Sequence, residues 1–122
     1  MPIFERFVNR SSFDSYEDLK ANLRINVPED FNFSYDVLDV LAAETPDERA
    51  MVWCDDTGLE RVFTYREMSV LSQQAANYFY NAGIRKGDSV MLVLKRHYQF
   101  WFIINALHKL GAVVILAPNQ LL

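Results

Sequence analysis

Apolar residues recur along this chain with two different spacings, and each change of spacing marks an element. Between Thr64 and Ala82, Met68, Leu71, Ala75, Phe79 and Ala82 fall at helical intervals and make one face. Thr64-Tyr65-Arg66-Glu67 has the form of a capping box. There the hydroxyl and the carboxylate each satisfy a backbone N–H that a helix start leaves free. Gly83 ends the helix, because glycine accepts the left-handed conformation, and Ile84 follows to pack back on it. Ser89–Leu94 and Ala112–Leu116 are instead nearly unbroken apolar runs. Between them Tyr98–Leu110 is apolar almost all round and is closed by Gly111. Strands that are apolar on both faces, joined by a buried helix, predict a parallel β-α-β unit with a right-handed crossover.

Upstream, Ala50–Cys54 and Arg61–Thr64 flank Asp55-Asp56-Thr57-Gly58, which predicts a β-hairpin. Asp36–Glu44 reads as a short helix with Ser34 as its cap and Val37, Leu38, Val40 and Leu41 on its apolar side. It ends at Thr45-Pro46, since a residue before proline avoids helical geometry. Ser12–Ile25 reads as a further helix, N-capped by Ser15 with Asp18 in its first turn and Tyr16, Leu19 and Leu23 on one face. Met1–Arg10 is expected to be a loose arm and Asn26–Asn32 a connection. The fold class is α/β. The expected division is an arm and helix over residues 1–30 and a second region over 31–122.

Composition narrows the function classes. The net charge is −4, and the longest basic cluster is Lys95-Arg96-His97, which excludes a nucleic-acid surface. The one cysteine, Cys54, has no internal disulfide partner and no zinc-like spacing around it. A reducing compartment follows, cytoplasmic or, in a eukaryote, the mitochondrial matrix. The opening MPIFERFVNR lacks the apolar core of a secretory signal, while its two Arg and little acid leave a transit sequence open. Phe100–Leu116 is broken by Asn105, His108, Lys109 and Gly111. It is a buried helix and strand, since a membrane span needs roughly 20 apolar residues.

Ligands of open α/β sheets sit beyond the carboxyl ends of the strands. Here those ends are Lys95-Arg96-His97 and Ala117–Gln120, both on one side of the sheet. A phosphate fits near Lys95 and Arg96; the plainer reading is solvated charge closing a strand. His97 and His108 have no partners for a triad or a metal site. Cys54 reads as a small half-buried side chain, Asp55 and Asp56 as turn residues, and Trp53 and Phe100-Trp101-Phe102 as core. Gly58, Gly83, Gly87 and Gly111 are each accounted for by a turn or a helix stop, which leaves no phosphate-binding loop and no dinucleotide fingerprint.

Taken in order, FNFSYDVLDVLAAETPDERAMVWCDD, FTYREMSVLSQQAANYFYNAGIRKGDSVMLVLKR and YQFWFIINALHKLGAVVILAPNQLL resemble successive blocks of the AMP-forming acyl-CoA synthetases, in their medium-chain branch. The resemblance runs from about Phe31 to the end. It implies a partial N-terminal domain of an adenylate-forming enzyme. Such enzymes use Mg-ATP to activate a carboxylic acid, here a medium-chain fatty or aromatic one, to an acyl-adenylate. They then transfer the acyl group to coenzyme A (CoA). The family's phosphate loop, its ribose-binding acid and its catalytic lysine would all lie downstream, so no catalytic residue is assigned here. The resemblance also implies that Pro118, Asn119 and Gln120 lie close to CoA, although this chain has Leu116 where relatives often have proline. ATP, Mg2+ and CoA belong to the whole enzyme, and none is expected to bind tightly to this piece. Its expected partner is the remainder of the domain, with self-association through an open sheet edge. The other class open to the sequence is a standalone α/β binding or scaffold module without catalysis.

Overall fold

The computed structural model describes residues 2–120. They fall into two compact units that meet in sequence between Phe31 and Asn32.

The first unit is built on a short helix, α1, over Tyr16–Asn22. Ser15 caps it as expected, its Oγ accepting from the Asp18 N–H at 3.1 Å. The helix is shorter than the Ser12–Ile25 span predicted. Leu23 leaves it in extended geometry, the Arg24 N–H turns to Asn9 Oδ1 at 2.9 Å, and Ile25 bridges Val8. Residues 2–10 are therefore not a loose arm. Ile3–Arg6 form a single 3-10 turn, and the Asn26 N–H donates to the Phe7 carbonyl at 2.8 Å. Tyr16, predicted to share an apolar face, is 71% exposed.

The second unit holds the remaining elements. Helix α2 opens with a widened, π-type stretch over Ser34–Asp39 and continues as α-helix over Val40–Glu44. Ser34 is not its cap. Asn32 Oδ1 accepts from the Ser34 N–H at 3.0 Å, and Asp36 Oδ2 accepts from the Asn32 N–H at 2.6 Å, so Asn32 closes the helix start. This leaves the Ser34 hydroxyl to point inward, where it donates to Asn105 Oδ1 at 2.7 Å.

Strands β1 (Arg49–Cys54) and β2 (Glu60–Thr64) form the predicted antiparallel hairpin, with Trp53 opposite Arg61 and Met51 opposite Phe63. Helix α3 (Tyr65–Asn81) starts with the full capping box: the Glu67 N–H meets Thr64 Oγ1 at 3.2 Å and the Thr64 N–H meets Glu67 Oε2 at 2.8 Å. Such a cap contributes about 1 kcal/mol. Its stop is as predicted, with Gly83 at φ +100° and the Ile84 N–H reaching back to the Phe79 carbonyl at 3.0 Å.

Strands β3 (Ser89–Val93) and β4 (Val113–Ala117) lie parallel, Ser89 beside Val113 and Met91 beside Ile115, joined by helix α4 (Gln99–Leu110). This is the β-α-β unit read from the sequence. Gly111 turns the chain from α4 into β4 at φ +71°, and a Cβ there would stand 2.9 Å from Lys86 Cγ.

Two packing seams organise the unit. Leu38, Phe63 and Met68 form one core, flanked by Met51, Leu71, Tyr98 and Phe102. In the other, α3 packs on α4; α3 buries the small side chains Ser69, Ser72 and Ala76, and α4 buries Asn105, Ala106 and Leu107. Small residues let the helices approach closely, which the apolar pattern of α3 did not show. One expectation fails. Helix α4 packs against β4, yet Met91, Val93, Val113 and Ile115 are 43–56% exposed. Among the described residues the face of Met91 and Ile115 is uncovered, while the opposite face is covered at Leu92 and exposed again at Leu116.

Candidate functional site

The carboxyl ends of β3 and β4 open into a cleft of about 390 Å3. Three separated segments form it: Trp53–Asp56 from the hairpin, Lys95–His97 after β3, and Asn119 and Gln120 after β4. The parallel pairing brings the last two together, because both strands leave the sheet on the same side.

Aromatic packing brings the hairpin there. Trp53 packs edge-to-face on Tyr98 with ring centroids 5.4 Å apart, and Phe63 lies 5.2 Å from the same ring. The Arg61 guanidinium sits 4.5 Å over Tyr98 and donates to its hydroxyl. Trp53 Nε1–H then donates to the Arg96 carbonyl at 2.8 Å. Arg96 is held at φ +44°, the one non-glycine in the left-handed region among the described residues. Such conformations persist only where the surroundings over-determine them.

The charges in the cleft differ in their freedom. Asp55 Oδ1 accepts from the Thr57 hydroxyl at 2.7 Å, the Thr57 N–H at 2.9 Å and the Leu59 N–H at 3.0 Å. The Thr57 hydroxyl foremost, with these backbone donors, holds the Asp55 carboxyl below its ordinary value. Asp55 is thus a turn residue, as predicted. Lys95, Arg96, His97 and Asp56 are exposed around the cleft. Cys54 is exposed there too, not half-buried as expected. Its side chain falls on the outer face of the hairpin, one position from the inward Trp53.

Of the residues expected near CoA, Asn119 and Gln120 line the cleft, while exposed Pro118 does not. The contribution of Trp53, Cys54 and Asp56 was missed, because no local pattern reports where a hairpin tip lands. Among the described residues no three His, Cys, Asp or Glu side chains gather to hold a metal ion.

A larger apolar cavity of about 550 Å3 lies between α2, β1 and α4, with Phe33, Met51 and Trp101 in its wall. Trp101 is 53% exposed there, against its expected place in the core. The cavity has few polar groups to orient a ligand, and Asn105 already serves Ser34 and the Trp101 carbonyl. No helix among the described residues is long and apolar enough to cross a membrane.

Comparison with known proteins gives this geometry a lineage. The sequence model described as "AMP-binding enzyme" matches residues 38–121. The chain belongs to that family. Human mitochondrial acyl-coenzyme A synthetase ACSM3 is 32% identical over 122 residues, which cover 95% of this chain and 21% of the relative. Human mitochondrial acyl-coenzyme A synthetase ACSM5 is 39% identical over 101 residues, 78% of this chain and 17% of the relative. Among solved structures, the fatty acid AMP ligase of Legionella pneumophila superposes with a TM-score of 0.67 at 17% identity, over 73% of this chain and 15% of that one. The α/β fold is therefore that of the N-terminal part of adenylate-forming enzymes. The chain spans about a fifth of the length of the curated relatives it matches.

Proposed function

We propose that this chain forms the beginning of the large N-terminal domain of an AMP-forming acyl-CoA synthetase. Residues 1–30 serve as an arm and helix, and 31–122 supply the first part of that domain. The carrying observation is the match to acyl-coenzyme A synthetases over 95% of this chain. The whole enzyme would join a medium-chain fatty or aromatic acid to AMP from Mg-ATP, releasing pyrophosphate. It would then pass the acyl group to CoA and release AMP. Pro118, Asn119 and Gln120 would stand near CoA. The piece supplies no group for the adenylation step and is inactive alone. The mitochondrial relatives support a matrix location, with the cytoplasm as the alternative.

Sequencing the transcript past the codon for Leu122 tests this reading. An open frame of several hundred codons that reaches a Thr/Ser/Gly-rich loop with a lysine supports a ligase. An immediate stop codon removes the enzyme reading and favours a binding or scaffold module.

The uncovered face of β3 and β4 supports the remainder of the domain as its natural partner. Without that partner the 122-residue chain is expected to self-associate. The cross-strand pair Met91→Lys with Ile115→Glu should shift the light-scattering mass toward monomer and change stability by about 0.5 kcal/mol or less. A parent chain that is already monomeric at high concentration would remove the self-association proposal.

A further inference from the structure

We propose that the cleft at the ends of β3 and β4 is a subsite for a phosphoryl group, a phosphate monoester or diphosphate, clasped by Lys95 and Arg96. Four observations converge on this. The cleft lies where open α/β sheets take ligands, and its volume of about 390 Å3 is enough for a phosphoryl group and part of what carries it. Lys95 and Arg96 are exposed there and enter no ion pair among the described residues. Asn119 and Gln120 add amide N–H donors from the opposite loop. Arg96 is fixed in an uncommon backbone conformation and anchored by Trp53, so its loop is set before any ligand arrives.

Asp55 and Asp56 oppose this field. Asp55 has one oxygen committed to three donors of its own turn. Those donors keep Asp55 charged while turning that oxygen toward its own turn, and Asp56 is the exposed carboxylate of the two. The subsite goes beyond the CoA reading, with which it shares Asn119 and Gln120. Its ligand is defined by phosphoryl chemistry, whether delivered on CoA or free.

The test uses the Trp53 indole N–H signal of the 122-residue chain, assigned with a Trp101→Phe variant, during titration with inorganic pyrophosphate and separately with CoA. Pyrophosphate should shift that signal saturably. Lys95→Gln and Arg96→Gly should each weaken binding about tenfold, as for loss of a hydrogen bond from a charged donor. Glycine suits φ +44°, so Arg96→Gly removes the guanidinium without backbone strain, and circular dichroism confirms that each variant is folded. Asp56→Asn should tighten binding. CoA that competes with pyrophosphate identifies CoA as the carrier. Pyrophosphate binding with no response to CoA supports the subsite and removes CoA as its source. The proposal is overturned by the absence of a saturable pyrophosphate shift, by affinity in Lys95→Gln and Arg96→Gly that is unchanged from the parent chain, or by CoA binding that pyrophosphate does not displace.

Discussion

Replacing Asp39 with alanine should cost the second unit about 3–5 kcal/mol, because it strands a buried ammonium. The Lys109 side chain is 3% exposed and its Nζ lies 2.8 Å from Asp39 Oδ1. The same oxygen accepts from Ser69 Oγ at 2.7 Å, and Gln73 Nε2 donates to that Ser69 oxygen at 3.1 Å. One carboxylate thus ties α2 to α3 and α4. Without it, what remains beside Lys109 among the described residues is the face of Tyr35, 5.6 Å away, which falls far short of replacing a carboxylate. The reverse change is milder. Lys109→Met removes the charge that is hard to bury and keeps much of the side-chain volume. Asp39 then retains the Ser69 hydroxyl and its 24% exposure to water, so the expected loss is about 1–2 kcal/mol. The double variant should recover most of what Asp39→Ala loses. Urea unfolding measures all three, with midpoints shifting at constant slope. Equal single losses that simply add in the double variant would show that the pair does not act as a unit.

What the sequence disclosed and what it concealed divide along the range of the interactions. Helix α3 was legible because its start and stop are written within a few residues, at Thr64 and Glu67 and at Gly83 and Ile84. The hairpin and the parallel unit were legible through turn chemistry and the change of apolar spacing. Ser34 was misread as a cap because its hydroxyl partner, Asn105, lies 71 residues further on. Helix α1 came out too long because the Arg24 N–H is drawn off by Asn9, a contact that helix propensity does not contain. The small residues Ser69 and Ser72 carry no apolar signal, yet both are buried on α3. The cleft divides in the same way. Its two strand-end loops follow from the parallel unit. The approach of Trp53 depends on one aromatic cluster around Tyr98, assembled from three separate stretches of chain.

Leu107→Ala is expected to be comparably damaging, at about 2–5 kcal/mol, for a different reason. Leu107 is fully buried on α4, beside fully buried Ala106, and α4 packs on α3, where Ser72 is also fully buried. Ala106 beside it and the buried Ser69, Ser72 and Ala76 of α3 are short, and short side chains have little reach with which to fill a space. The loss should therefore include a cavity term as well as the lost burial. Leu107→Met keeps the volume and should cost less than about 1.5 kcal/mol. The consequence reaches the cleft. Both strand-end loops hang from β3 and β4, and the Leu107 carbonyl accepts the Ala112 N–H at 3.0 Å where α4 hands the chain to β4. Trp53 fluorescence, recorded in a Trp101→Phe background, should therefore fall in the same transition as the helical signal of circular dichroism. A cleft that melts well before α4 would mean that the hairpin is held by its aromatic contacts alone. A Leu107→Ala loss below about 1 kcal/mol would mean that the seam closes around the missing side chain, against the rigidity of small residues on two packed helices.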